Sequence, residues 1–245
     1  MKQEALAGST GLGEQIRRLG FWSVVVFLLS AVASSFIPLD IPNGYLAEHG
    51  ERVTWLAENR EIFILGWLNQ IVAMFSLSAV FLCNAWLLTQ TPTLRAWLAA
   101  FFVALSVMAF IIPKFIAVWT IPLLTDVVVS GGTGSEMANS LLLLLNVSVP
   151  FSLYTAFDYL GFWLYSIYAL LVAFPLYDRK PAAVVSSLSA GLYGVSYQAL
   201  LVLLFLGFIA TPDIEAWFLS LSLLLFIHVC AVGIVFKGKA ATDEN

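Results

Sequence analysis

Six stretches of this chain stay apolar, nearly without interruption, for long enough to cross a bilayer, which takes about 20 residues of α-helix. They are Gly20–Leu39, Ile62–Leu88, Ala96–Leu124, Phe151–Leu176, Ala182–Ile209 and Ile214–Phe236. Polar residues gather in the blocks between them. Thr89–Arg95 and Tyr177–Pro181 are tight turns, so the second and third spans, and the fourth and fifth, are expected as antiparallel neighbours. The connections on the other side are longer. Asp40–Glu61 opens on a Pro-Asn-Gly turn and continues as a surface helix over Tyr45–Glu61, where Glu48 and Arg52 stand at an i,i+4 spacing. In Thr125–Pro150, the run Ser130-Gly131-Gly132-Thr133-Gly134 is flexible, and Thr133 with Glu136 fits a capping box. The helix it opens would run through Leu141–Leu145 and is too short to span, which makes it interfacial or re-entrant. Asn146-Val147-Ser148 matches the glycosylation acceptor pattern and is read as coincidence, with Leu on one side and Pro150 close after.

Composition fixes the class. With 61% hydrophobic and 11% charged residues and a mean hydropathy of +0.94, the chain is no ordinary soluble domain. The expected fold is an all-α integral membrane bundle of six transmembrane helices. A single transmembrane domain would cover residues 20–236, flanked by an N-terminal segment, 1–19, and a tail, 237–245. If the N-terminus is cytoplasmic, eight of the eleven basic residues lie inside, leaving only Arg52, Arg60 and Lys114 outside. That asymmetry puts both termini in the cytoplasm. Arg17-Arg18 ahead of an apolar run, followed by Ala31-Val32-Ala33, has the outline of a signal peptide. The run continues to Leu39, so a retained first span is expected. Trp22, Trp86 and Trp97 near the inner boundary, and Trp55, Trp119 and Trp217 near the outer one, agree with six spans.

Ionisable groups inside spans are costly and point to function by default. A rise of about 1.5 Å per residue sets their depth. Lys114, Asp158, Asn69, Gln70 and Gln198 all fall about 27–30 Å from the inner surface, which gathers five polar side chains from four helices near the outer face. Two readings are open. Each residue sits at the interface, with Lys114 snorkelling to water; or they line an outward-facing vestibule in which Lys114 and Asp158 pair. Pro113 bears on the second, because a kinked helix exposes carbonyls that can hold a ligand or ion. His228 alone lies deep, about 14 Å from Lys237. It is either a neutral histidine bonded to Ser or Tyr on a neighbouring helix, or a proton-relay or ligand contact.

Several chemistries are excluded. No phosphate-binding Gly-rich loop is present, so neither a nucleotide nor an ATP-driven pump fits this chain alone. Bis-histidine haem needs a second intramembrane His, and HExxH is absent, so no cofactor or metal is expected. Cys83 and Cys230 form no CxxC and read as small packing residues. Ser196 with His228 has the outline of the rhomboid proteases. However, Tyr197 replaces the Gly after the serine, and the two residues differ in depth by about 10 Å.

Three features resemble a bacterial family of small multipass membrane proteins known as a domain of unknown function. These are the basic pair Arg17-Arg18, the Thr-Pro-Thr-Leu-Arg turn at Thr91–Arg95, and Asp178-Arg179-Lys180-Pro181 before a small-residue helix. The resemblance implies a bacterial inner-membrane protein and carries no catalytic residues. The small residues of Ala182–Gly194 predict that the fifth helix packs centrally, with the second and sixth facing lipid. The leading functional expectation is an outward-facing vestibule binding a small solute, ion or lipid headgroup. The alternative is a non-catalytic accessory subunit of a larger membrane complex, and an intramembrane enzyme is third. Membrane lipid, other membrane subunits or a second copy are the expected partners, and nucleic acid is not.

Overall fold

The computed structural model describes residues 2–88 and 93–238, with side chains from residues 11 and 94 onward in the two stretches. Among these, every regular element is helical: α1 (Lys2–Ser34), α2 (His49–Glu58), α3 (Arg60–Leu87), α4 (Thr93–Phe115), α5 (Ile121–Ser130), α6 (Ser135–Leu144), α7 (Leu153–Leu176), α8 (Pro181–Phe205) and α9 (Ile214–Gly238). A π-helical segment, Ile116–Thr120, joins α4 to α5. Six helical segments, α4 through α5 counting as one, are long and apolar enough to cross a membrane. The chain is an all-α, multipass integral membrane protein. The short helices α2 and α6 occupy the two larger connections. The turn at Thr89–Arg95 and the tail beyond Gly238 involve residues 89–92 and 239–245, outside the described residues.

Helix ends depart from the hydropathy pattern wherever a local backbone signal overrides it. The first helix stops at Ser34 rather than Leu39. Ser34 Oγ bonds back to the Ser30 carbonyl at 2.9 Å, and Pro38 turns the residue before it away from helical geometry. The third span runs past Leu124 to Ser130, where Gly131 takes a left-handed cap at φ 63°. No Thr133 capping box forms. Gly134, at φ 90°, is the N-cap of α6, so the cap lies one residue beyond Thr133 and the helix starts at Ser135. At the far end of α8, Phe208 N–H donates to the Leu203 carbonyl at 2.9 Å and Gly207 N–H to that of Leu204 at 3.0 Å. This is a Schellman motif with Gly207 left-handed at φ 74°, and it ends α8 at Phe205 instead of Ile209.

The chain divides into two compact units. One comprises Met1–Phe27, Phe75–Ser106 and Trp163–Asn245; the other comprises Leu28–Met74 and Val107–Phe162. In the first, Phe81 is fully buried, stacked on Tyr168 with ring centroids 4.5 Å apart and set edge-on to Tyr165 at 4.9 Å. Helices α7 and α8 run antiparallel there, with Ser187 Oγ donating to the Ala173 carbonyl at 2.6 Å. In the second, Phe63, Trp67, Ile121, Leu142 and Tyr154 form the core. Trp67 donates from Nε1 to the Leu39 carbonyl at 3.0 Å.

The small-residue helix α8 and the Leu- and Phe-rich α9 are enclosed to the same degree, with nine buried residues in each 25-residue helix. Small side chains bring α8 close to α7 on one face. Of the six tryptophans placed at the boundaries, Trp22, Trp86, Trp97, Trp119 and Trp217 are exposed. Trp55 instead packs against the core around Phe63.

The α7–α8 contact makes a sharp prediction. A Cβ at Gly194 would lie 2.5 Å from Leu170 Cγ and 3.0 Å from the Ser166 carbonyl, whereas one at Gly191 meets only Ala173 at 3.6 Å. Gly194→Val should therefore lose ~1–3 kcal/mol through overpacking and lower the melting temperature in detergent, while Gly191→Ala leaves it unchanged or raises it.

Candidate functional site

The polar residues expected near the outer face fall into separate sets, each satisfied by neighbours within its own unit. In the unit holding Leu28–Met74 and Val107–Phe162, Asn69 Nδ2 donates to the Ser30 carbonyl and to Ser34 Oγ, both at 2.9 Å. Gln70 Nε2 donates to the same hydroxyl at 2.8 Å. These bonds tie α3 to α1. Lys114 is buried, 6% exposed, and its Nζ donates to Asp158 Oδ1 at 2.9 Å while lying 4.7 Å from the centroid of the Phe110 ring. Pro113 lacks the N–H that would continue the helix, and the π-helical segment follows three residues later, a local irregularity common at functional positions.

The deepest charge in this unit was not among the expected site residues. Arg52 is fully buried, and its Nε donates to both carboxylate oxygens of Asp40 at 2.9 Å. Ser148 Oγ donates to Asp40 Oδ2 at 2.7 Å, and Ser148 N–H to Asn146 Oδ1 at 2.9 Å. Arg52 therefore belongs to Asp40, not to Glu48, because Glu48 is the extended N-cap of α2 and its i,i+4 partner faces inward. Arg60 and Asp126 make a third, exposed ion pair.

In the other unit, Gln198 bridges α7 and α8. Its Nε2 donates to Ser166 Oγ at 2.7 Å and its Oε1 accepts from Trp163 Nε1 at 2.9 Å. A buried polar seam lies alongside: Ser78 and Tyr165 hydroxyls 2.6 Å apart, Asn84 donating to Tyr168 Oη at 2.8 Å, and His228 against Ser186. His228 Nδ1 is 3.0 Å from the Ser186 carbonyl and 3.1 Å from its Oγ. A carbonyl only accepts, so Nδ1 carries the proton and Nε2 is an acceptor, buried without a partner. Beside this seam is a cavity of about 1340 Å³, with walls from α1, α3, α7, α8 and α9. Asn84 and Ser186 reach it from the seam, Trp86 and Phe226 are among its apolar walls, and Arg17, Asp178 and Lys180 also line it.

No family model, curated protein or solved structure matches this chain. The site must be judged on its own chemistry. With Nδ1 donating to the Ser186 carbonyl, His228 and Ser186 are not arranged as a base and its nucleophile. Among the described residues, no three of His, Cys, Asp and Glu stand together as a metal site, and Cys83 and Cys230 are free thiols. What the arrangement offers is a large apolar chamber with hydrogen-bonding groups and cations on its lining.

The sequence pattern singled out Lys114, Asp158, Asn69, Gln70, Gln198 and His228 as candidates; it did not single out Asp40, Asn84 or Ser186, and it placed Arg52 on a surface helix beside Glu48. Twelve residues and a turn separate Arg52 from Asp40, beyond any helical periodicity. Asn84 is a lone polar residue in an apolar stretch of α3, which was the available signal, whereas Ser186 stands with Ser187 and Ser189 among the buried serines of α8.

Lys114 and Asp158 are 8% and 23% exposed at their side chains, so each depends on the other. Lys114→Ala and Asp158→Ala should each lower thermal stability in detergent, and the double change should cost less than their sum by ~1–3 kcal/mol. Additive losses would show that the two charges are energetically independent.

Proposed function

We propose that this protein is a non-catalytic, membrane-embedded binding protein whose ligand is an amphipathic molecule seated in the cavity beside α8 and α9. The cavity carries the reading. Ordinary small-molecule pockets span about 300–1,000 Å³, and this one is larger, at about 1340 Å³. Leucine, valine, isoleucine and phenylalanine make up 11 of its 25 lining residues, which favours an apolar body. Asn84, Ser186 and the charged residues on the same lining favour a polar end.

An outward vestibule is less well supported. Asn69, Gln70, Lys114, Asp158 and Gln198 spend their hydrogen bonds on neighbouring side chains and carbonyls, which makes them better interhelical clamps than ligand contacts. The charge asymmetry of the loops supports an orientation with the Arg17 and Lys180 end of the cavity on the cytoplasmic side.

Native mass spectrometry of gently solubilised protein tests the reading. Wild type should retain a small mass, and Ala182→Trp, which projects an indole from the cavity wall, should release it. Retention of a second polypeptide in place of a small molecule would make the chain an accessory subunit and end this reading.

A further inference from the structure

Resting on that reading, we propose that the cavity takes an anionic phospholipid of the cytoplasmic leaflet, its phosphate held by Arg17 and Lys180 and its acyl chains lying against the apolar walls.

The charges carry the argument. Arg17 and Lys180 both line the cavity, and neither has an ion-pair partner among the described residues. Arg52, Arg60 and Lys114 are each bound to a carboxylate, whereas Arg18, Arg95, Arg179 and Lys237 also lack one among the described residues but do not line this cavity. Arg17 also turns its guanidinium along its own helix, with a terminal nitrogen 4.0 Å from where a Cβ of Gly13 would stand, and Gly13 lines the same cavity. Lys180 is the N-cap residue of α8. The lining holds one carboxylate, Asp178, and its Oδ1 already accepts the Arg179 N–H at 2.7 Å. In a chain whose formal net charge is −4, this cavity has a local excess of positive charge.

Position selects a lipid over a soluble anion. Arg17 precedes the first apolar run by three residues, and Lys180 stands in the turn between two spanning helices, so both cations sit at headgroup level. The rest of the lining is mainly apolar, a volume that a free phosphate would leave unfilled and that acyl chains fill. Basic pockets between transmembrane helices on the cytoplasmic side are a recurrent solution for binding anionic headgroups.

Trp86 lines the cavity and provides the probe. Detergent-purified protein is titrated with phosphatidylglycerol or phosphatidylcholine carrying brominated acyl chains. The quenching that disappears in Trp86→Phe isolates the cavity signal. Wild type should bind phosphatidylglycerol more tightly, by roughly fivefold for each cation, with the preference shrinking as salt is added. Arg17→Gln with Lys180→Gln should bring the two lipids close to equal affinity while phosphatidylcholine still quenches, and Arg17→Lys should keep most of the preference. Equal affinity for both lipids in wild type, or a preference indifferent to salt, overturns the phospholipid assignment and leaves the amphiphile reading standing. Absence of Trp86 quenching by either lipid, together with no retained mass in the spectrum, removes both.

Discussion

A polar group taken out of water must find its partner inside the chain, and the arrangement of this protein follows from that requirement. Backbone groups are satisfied within helices, the only open structure that can cross hydrocarbon unaided. Side chains have no such internal solution. Two apolar helix faces gain little from meeting when lipid tails are equally apolar, so small residues and interhelical hydrogen bonds decide which helices touch. Ser34 serves Asn69 and Gln70 at once. Gln198 joins α7 to α8 through both ends of its amide. Tyr165 and Tyr168, fully buried, take Ser78 and Asn84 as partners. Each bond fixes a register that greasy surfaces alone would leave loose.

The same requirement explains how far the sequence could be read. Length and apolarity identified six spans because hydrocarbon thickness imposes a minimum that few other folds meet. Span ends were less legible, since a glycine at Gly207 or a proline at Pro38 acts on backbone geometry that hydropathy does not weigh. Within the site, depth along a helix predicted that Lys114 and Asp158 lie at one level, and the direction each side chain takes around its helix was beyond that argument. Asn69 and Gln70 share the level, yet they turn to α1. Arg52 shows the opposite limit: a short helix with charges at i and i+4 looked solvent-exposed, and only the tertiary arrangement reveals that its guanidinium is sealed in.

The cations sort by what holds them. Arg52, Arg60 and Lys114 have carboxylates, which makes them part of the framework. His228 has its proton committed to a carbonyl, which fixes its tautomer and orients the ring beside Phe81, with centroids 5.8 Å apart. Among the described residues Arg17 and Lys180 have no carboxylate partner, and of the cations without one they are the two that line the cavity.

The Arg52–Asp40–Ser148 cluster also bears on the order of assembly. Asp40 and Arg52 are 12 residues apart and can meet as soon as their connection has left the ribosome. Ser148 follows 108 residues after Asp40, with two further spans to be inserted before it is made. Until then one carboxylate oxygen lacks its hydroxyl, and the arginine lacks the lid of α6 residues that later shuts out water. The pair itself thus needs only the outer connection that carries it, while α6, through the Leu142 carbonyl, and Ser148 complete its hydrogen bonding from a later part of the chain.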